Sequence, residues 1–395
     1  MKKVLLLSFW NLLFLTQLYA QVPDPFPKLT RWVDTAPVAL MENLPALCNH
    51  LLSKCENDTQ KAWVIYRWIS RNISYDDQAL EKDQGRINKN IQDILTRQKA
   101  LCFGYAQLFV RMCEEADLPA VLISGYSKGT LTAQANLDTA DHAWNAVQLD
   151  GQWALLDATW GSSLIQGTND FVQTYQESYF LTTPAKFLIN HLPLQPMWQL
   201  LDCPLQASQF NAPPDTILAK VSNQAACFNF QDSIENFLSL TFAEQKYIEA
   251  QMAYDFNPTP NNQSVLGHAL VDYATRTSDQ SESYKSNEFD KWASLQEEAI
   301  RALERAHTLI NFFDWQKEFY ADLLVNLSVF QYNDLDPAAY GKQELKQVHE
   351  NWIKRLQLAN SLLKEIVKSY MAGQKIQACD NFQQVIQEEL DRLNK

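Results

Sequence analysis

The stretch HAWNAVQLDGQWALLDATWG, His142 to Gly161, decides the fold. Its first half, His142–Leu149, is built of strand formers, and so is Gln152–Asp157. Asp150-Gly151 between them is a two-residue turn signal, because both positions tolerate positive φ. The stretch therefore predicts an antiparallel hairpin. His142 lies eight residues before Asp150 and Asp157 six residues after Gly151, which makes the two roughly cross-strand neighbours. One strand is predicted upstream of the hairpin, Ala120–Tyr126, ending at a Lys128-Gly129 turn.

Before that strand the pattern is helical. Asp58-Thr59 opens QKAWVIYRWISRNI, with apolar residues at helical spacing, and Ser74-Tyr75-Asp76-Asp77 ends it. A polar loop is expected from Gln78 to about Lys89, then a short helix over Ile91–Leu95. Cys102 begins CFGYAQLFVRMCEEADL, a helix stopped by Leu118-Pro119. Helices followed by an antiparallel sheet make an α+β layout. The residues from Gln21 to Thr59 read as an extended entry and a short helix.

Downstream, Pro204 to Pro214 is turn-rich, and 206–232 reads as a connection. From about Ser233 to the end at residue 395 the chain reads as α-helical. Ser286 is expected to cap NEFDKWASLQEEAIRALERAHTLINFF, with acids in its first turns. Gln343–Met371 and Asp380–Leu393 are further helices, with breaks at Asn257–Pro260 and Asp334–Pro337. A bundle or helical-repeat stack fits; the alanine spacing is faintly tetratricopeptide-like, but no clean 34-residue period runs through it. The expected domains are 1–20, 21–205 and 233–395.

MKKVLLLSFWNLLFLTQLYA, residues 1–20, has a basic start, a short apolar run and small-residue Leu18-Tyr19-Ala20. It is expected to be a signal peptide cleaved after Ala20, giving an exported, periplasmic or secreted protein. No later run is long enough for a membrane span. The net charge of −13 becomes −15 once the two leader lysines are gone. That balance argues against nucleic acid and anionic membranes as partners. Of seven cysteines an odd one must stay unpaired. Spacing allows Cys48 with Cys55 and Cys203 with Cys227, and compels neither. No Cys/His spacing fits a zinc site and no calcium loop is present, so no metal or cofactor is expected.

Three residues combine into a chemistry. A cysteine at a helix start is favoured as thiolate by the helix dipole. An imidazole on a strand can take its proton and return it to a leaving amine. A carboxylate on the next strand can hold that imidazole in one tautomer. Cys102, His142 and Asp157 are that set. Cys113, on nearly the same helix face, reads as a buried structural thiol. The Cys102 N–H is a natural oxyanion donor, with Tyr75, Gln98 or Trp68 as candidates near a second one. Tyr75 and Asp76 equally fit a structural helix end. Trp144 and Trp160 could wall the cleft with Tyr75 or pack in the core. His191 reads as a structural turn under Trp198, and His307 and His349 as ordinary helix positions.

ALCFGYAQLF, SGYSKG and HAWNAVQLDGQWALLDATWG resemble the three blocks of the transglutaminase-like superfamily. IYRWISRNISYDD resembles its upstream helix, and SYFLTTPAKFLINHLPLQPMWQLL resembles the segment following the core in the kyphoscoliosis-peptidase-like branch. The resemblance spans about 62–201. It implies a papain-like cysteine protease core and assigns the nucleophile to Cys102, the base to His142 and the orienting acid to Asp157. One departure is Ala100-Leu101, where the family carries Gly-Val or similar; a glycine there could allow a tight turn. The implied activity is an exported thiol enzyme acting on amides of a protein or peptide through a thioester, with peptidase or amidase leading. A protein-glutamine transglutaminase and a non-catalytic binding scaffold are the alternatives. The helical region is expected to offer a surface to a protein partner.

Overall fold

The computed structural model describes residues 24–76, 78, 90–129, 133–162, 175–366 and 370–395. Residues 1–20, where a signal peptide is expected, and most of the 78–89 loop lie outside the described residues. The fold is α+β: a papain-like arrangement of helices and a curled antiparallel sheet, followed by a mostly helical region. The chain divides into two compact units, 1–122 with 144–182, and 123–143 with 183–395.

The first unit is organised around the helix Asp58–Asn72. Asn57 caps it by accepting the N–H of Gln60. Every residue from Ala62 to Ser70 is buried, so this helix is enclosed on all sides rather than amphipathic. Its one buried cation, Arg67, pairs two-pronged with Asp34 at 2.8 and 2.7 Å. Such pairing offsets the cost of burying a guanidinium. Pro27–Asp34 and Leu44–Leu52 pack on the same core, joined by Leu108, Phe109, Val147 and Leu156.

Two short strands follow. β1 (Ser74–Tyr75) pairs in parallel with β2 (Lys99–Ala100), and the helix Ile91–Arg97 precedes β2. The helix Cys102–Glu114 starts two residues after Ala100. The main sheet holds β3 (Ala120–Ser127), β4 (His142–Leu149), β5 (Gln152–Leu156) and β6 (His191–Pro193) in the order β5-β4-β3-β6. The β4–β5 hairpin stands where the sequence predicts it. Asp150 (φ 49°) and Gly151 (φ 77°) are both left-handed, as a two-residue primed turn requires. β6 is a strand the sequence reading did not identify.

The second unit is a succession of helices: Phe230–Ser239, Phe242–Phe256, Pro260–Ser281, Phe289–Leu309, Asp314–Asp334, Lys342–Lys364 and Tyr370–Asn394. From Phe242 onward each packs chiefly on its sequence neighbours, around Leu266, Leu270, Ala299, Leu324 and Leu356. The helix expected to be capped by Ser286 starts at Phe289, with Glu288 as its cap residue. The stretch 206–232 carries a helix of its own, Pro214–Asn223, and a disulfide joins Cys203 to Cys227. Cys48 and Cys55 are both free thiols, so the pairing their spacing allowed is not made. The units cut the chain differently from limits at 205 and 233. Within the second unit Tyr126 and Ala135 pack with Leu188, Phe210 and Ile217, and Asn257 donates to Tyr126 and Leu137. Among the described residues no helix is long and apolar enough to cross a membrane.

Candidate active site

Cys102 is the first residue of its thirteen-residue helix and is half-buried. Leu101 before it is extended (φ −84°, ψ 171°), so the Cys102 N–H stands outside the intrahelical ladder. A developing anion there meets the positive end of the helix, worth roughly 0.3–1 kcal/mol per charge at exposed sites and more when enclosed. The peptide leading into Cys102 is held firmly. Ser74 N–H donates to Gln98 C=O at 2.8 Å, and Asp76 N–H to Ala100 C=O at 3.1 Å. Ala100 keeps negative φ, so the expected glycine is not required at that point. The close approach is made by Gly104 instead. A Cβ there would lie 2.8 Å from the Ala100 Cβ.

Tyr105, one turn on, donates from its hydroxyl to Ile73 C=O. Asn145, fully buried on β4, donates to Ala106 C=O at 2.9 Å and Val121 C=O at 3.1 Å. The Cys102 helix is therefore tied both to the end of the Asp58 helix and to the sheet.

Asp157 follows β5 directly and is fully buried. Its Oδ1 accepts the N–H groups of Thr159 at 2.8 Å and Trp160 at 3.1 Å, capping the short helix Ala158–Ser162. Its own N–H donates to Tyr179 C=O at 3.0 Å. The Asp58 helix braces this turn: Ser70 Oγ donates to Ala158 C=O at 3.1 Å. In the register of the hairpin, Asn145 pairs with Leu156, which puts Trp144 level with Asp157. His142 lies two residues before Trp144 in the same strand, and alternation gives both the same face.

His142 opens β4 and is buried, at 8% exposure. Its ring lies 5.3 Å from that of His191, tilted by 45°. His191 reads in the sequence as a structural turn. It is buried at the start of β6, stacked on Phe187, with Nδ1 2.7 Å from Asn190 Oδ1. An amide oxygen accepts, so the contact fits the tautomer with the proton on Nδ1. The sequence signal was weak: a three-residue strand has too few positions to show alternation.

Tyr75 is half-buried on β1, opposite Ala100. Asp76 is buried and pairs with Arg97 at 2.6 Å. Trp68 and Trp144 are interior, and Trp160 is buried edge-on against Tyr179. Gln98 takes the left-handed C-cap position and donates to Asn72 C=O at 3.4 Å. Among the other thiols, burial pushes Cys48 up to about 12 and Cys55 to about 11, and holds Cys113 well above its ordinary value. Those thiols are held protonated near neutrality.

Comparison with known proteins bears on the same segment. The model of the transglutaminase-like superfamily matches residues 45–158. Kyphoscoliosis peptidase of Mus musculus is 43% identical over 177 residues, covering 44% of this chain and 26% of that protein. Hillarin of Drosophila melanogaster is 32% identical over 184 residues, covering 42% and 22%. The chain thus spans about a quarter of the length of these relatives. A solved structure of a TGase is 21% identical, covering 36% of this chain and 34% of that one, at a TM-score of 0.26.

Proposed function

We propose that this chain, whose residues 45–158 form a transglutaminase-like domain of the kyphoscoliosis-peptidase branch, is an exported thiol enzyme that hydrolyses amide bonds in a protein or peptide. Cys102 acts as nucleophile, His142 as base and Asp157 as the acid that orients it. The observation that carries this is the contrast among cysteines. Cys102 alone combines a helix N-terminus with partial exposure, while Cys48 and Cys113 are buried in the core.

In this reading His142 takes the Cys102 proton and the thiolate attacks the amide carbon. A C–S bond forms as the carbonyl π pair moves to oxygen. The Cys102 N–H donates to that oxyanion. The C–N bond then breaks, and the imidazolium gives its proton to the departing amine. Water, deprotonated by His142, attacks the thioester and releases acid and thiol. Tyr75, Trp144 and Trp160 are assigned to the walls receiving the substrate, and the leader 1–20 to export. The peptidase name of the 43% identical relative favours water over an amine as acceptor.

The test is incubation with a glutamine-containing protein and a labelled primary amine. Hydrolysis predicts new N-termini or released ammonia, without label incorporation, abolished by Cys102→Ala. Label incorporation would make the protein a transglutaminase. Neither outcome, with Cys102 intact, would leave a non-catalytic scaffold.

A further inference from the structure

The helical region has no role in the chemistry just described, yet its bonds converge on the segment that carries His142. Asn262, 2% exposed in the helix Pro260–Ser281, donates to the Tyr126 hydroxyl at 3.1 Å and to Asn257 C=O at 2.9 Å. Asn257 donates to the same hydroxyl at 2.9 Å and to Leu137 C=O at 2.8 Å. Thr259 donates to Asp138 C=O at 3.1 Å. Tyr126 is fully buried on β3. Its two chain neighbours bracket Asp141: Asp141 N–H donates to Gly125 C=O at 3.1 Å, and Ser127 N–H donates to Asp141 Oδ1 at 2.8 Å. His142 is the next residue.

We infer that Asn257, Asn262 and Thr259 are positioning residues for the catalytic base, so that the helical region sets where the His142 imidazole stands. This rests on the triad reading of His142. Two physical facts carry it. A buried hydroxyl accepting from two side-chain amides fixes Tyr126 against the helices, because a buried polar group is costly to leave without its partners. The stretch 133–141 has no helix or strand of its own, so its path depends on side-chain bonds: Asn211 holds it at Ala135, and the bonds at Leu137, Asp138 and Asp141 hold the end that leads into His142. General-base efficiency is steep in position: a displacement of about 1 Å can cost a hundred-fold. The residues from 257 to 262 therefore give the helical region a route to alter activity at Cys102 without touching substrate.

The test uses the full chain with Asn257→Leu, Thr259→Val and His142→Ala, and follows iodoacetamide modification of Cys102 by peptide mass from pH 5 to 10. Near pH 6 the thiolate depends on the imidazole; above pH 9 a thiol ionises unaided. Asn257→Leu is expected to lose roughly ten-fold in rate near pH 6 and nothing above pH 9, with Thr259→Val moving the same way by less. Should Asn257→Leu fail to fold, the milder Thr259→Val decides. A wild-type profile in both variants, with His142→Ala changed, would overturn the positioning role and leave the triad standing. A uniform fall at every pH would also overturn it, as general loss of structure. If His142→Ala keeps the wild-type profile, the triad reading fails and this inference with it.

Discussion

The side chain of Asn145 and the carbonyl of Ala106 are joined by a 2.9 Å hydrogen bond in the protein interior. Ala106 stands one turn after Cys102, and Asn145 lies in the strand that His142 opens. The same amide also donates to Val121 C=O at 3.1 Å. One side chain thus fastens the Cys102 helix to the sheet.

Asn145→Leu keeps the volume and removes both bonds. Two buried carbonyls then lose a donor, and the expected loss of stability is about 2–3 kcal/mol. Urea unfolding of the variant measures it. A change below about 0.5 kcal/mol would show that the bonds do not brace the helix.

Gly161 sits where the Asp157 turn meets the Asp58 helix. A Cβ there would overlap the Tyr66 hydroxyl and lie 2.8 Å from Ser70 Oγ. Both hydroxyls are engaged, Tyr66 with Gln176 C=O and Ser70 with Ala158 C=O. Gly161→Ala is expected to cost about 1–3 kcal/mol through overpacking and to lower turnover by displacing Asp157. Thermal unfolding and activity of the same variant check both; wild-type values in both would contradict the close packing.

Acid stability should carry a signature from Glu389. Burial raises its carboxyl, but hydrogen bonds from Tyr332 and His349 prevail and hold it below its ordinary value. A depressed carboxyl contributes stability that is present above its unfolded value and lost as pH falls through the folded one. The stability gap between wild type and Glu389→Gln is therefore expected to shrink on acidification below about pH 4.5. Urea titrations at stepped pH measure it, and a constant gap would refute the linkage.

The hairpin and the Cys102 helix were legible because each rests on local pattern: strand formers around Asp150-Gly151, and apolar spacing after Cys102. What was not legible is long-range. β1 and β2 are two residues each, too short for any period. The place of His191 beside His142 depends on β6 pairing with β3, Ser127 opposite His191, across more than sixty intervening residues. The association of 123–143 with the helices draws on Asn257 and Asn262, polar residues whose partners lie over a hundred positions away. Cysteine spacing was equally mute. It allowed two pairs, and the structure forms only Cys203–Cys227.

The central claim is that Cys102 is an activated nucleophile served by His142. The rate of iodoacetamide labelling near pH 6, resolved by residue, tests it most directly. Cys102 is predicted to react roughly a hundred-fold faster than Cys113, and His142→Ala to remove most of that advantage. Equal, slow labelling of Cys102 and Cys113 in the folded protein would contradict it.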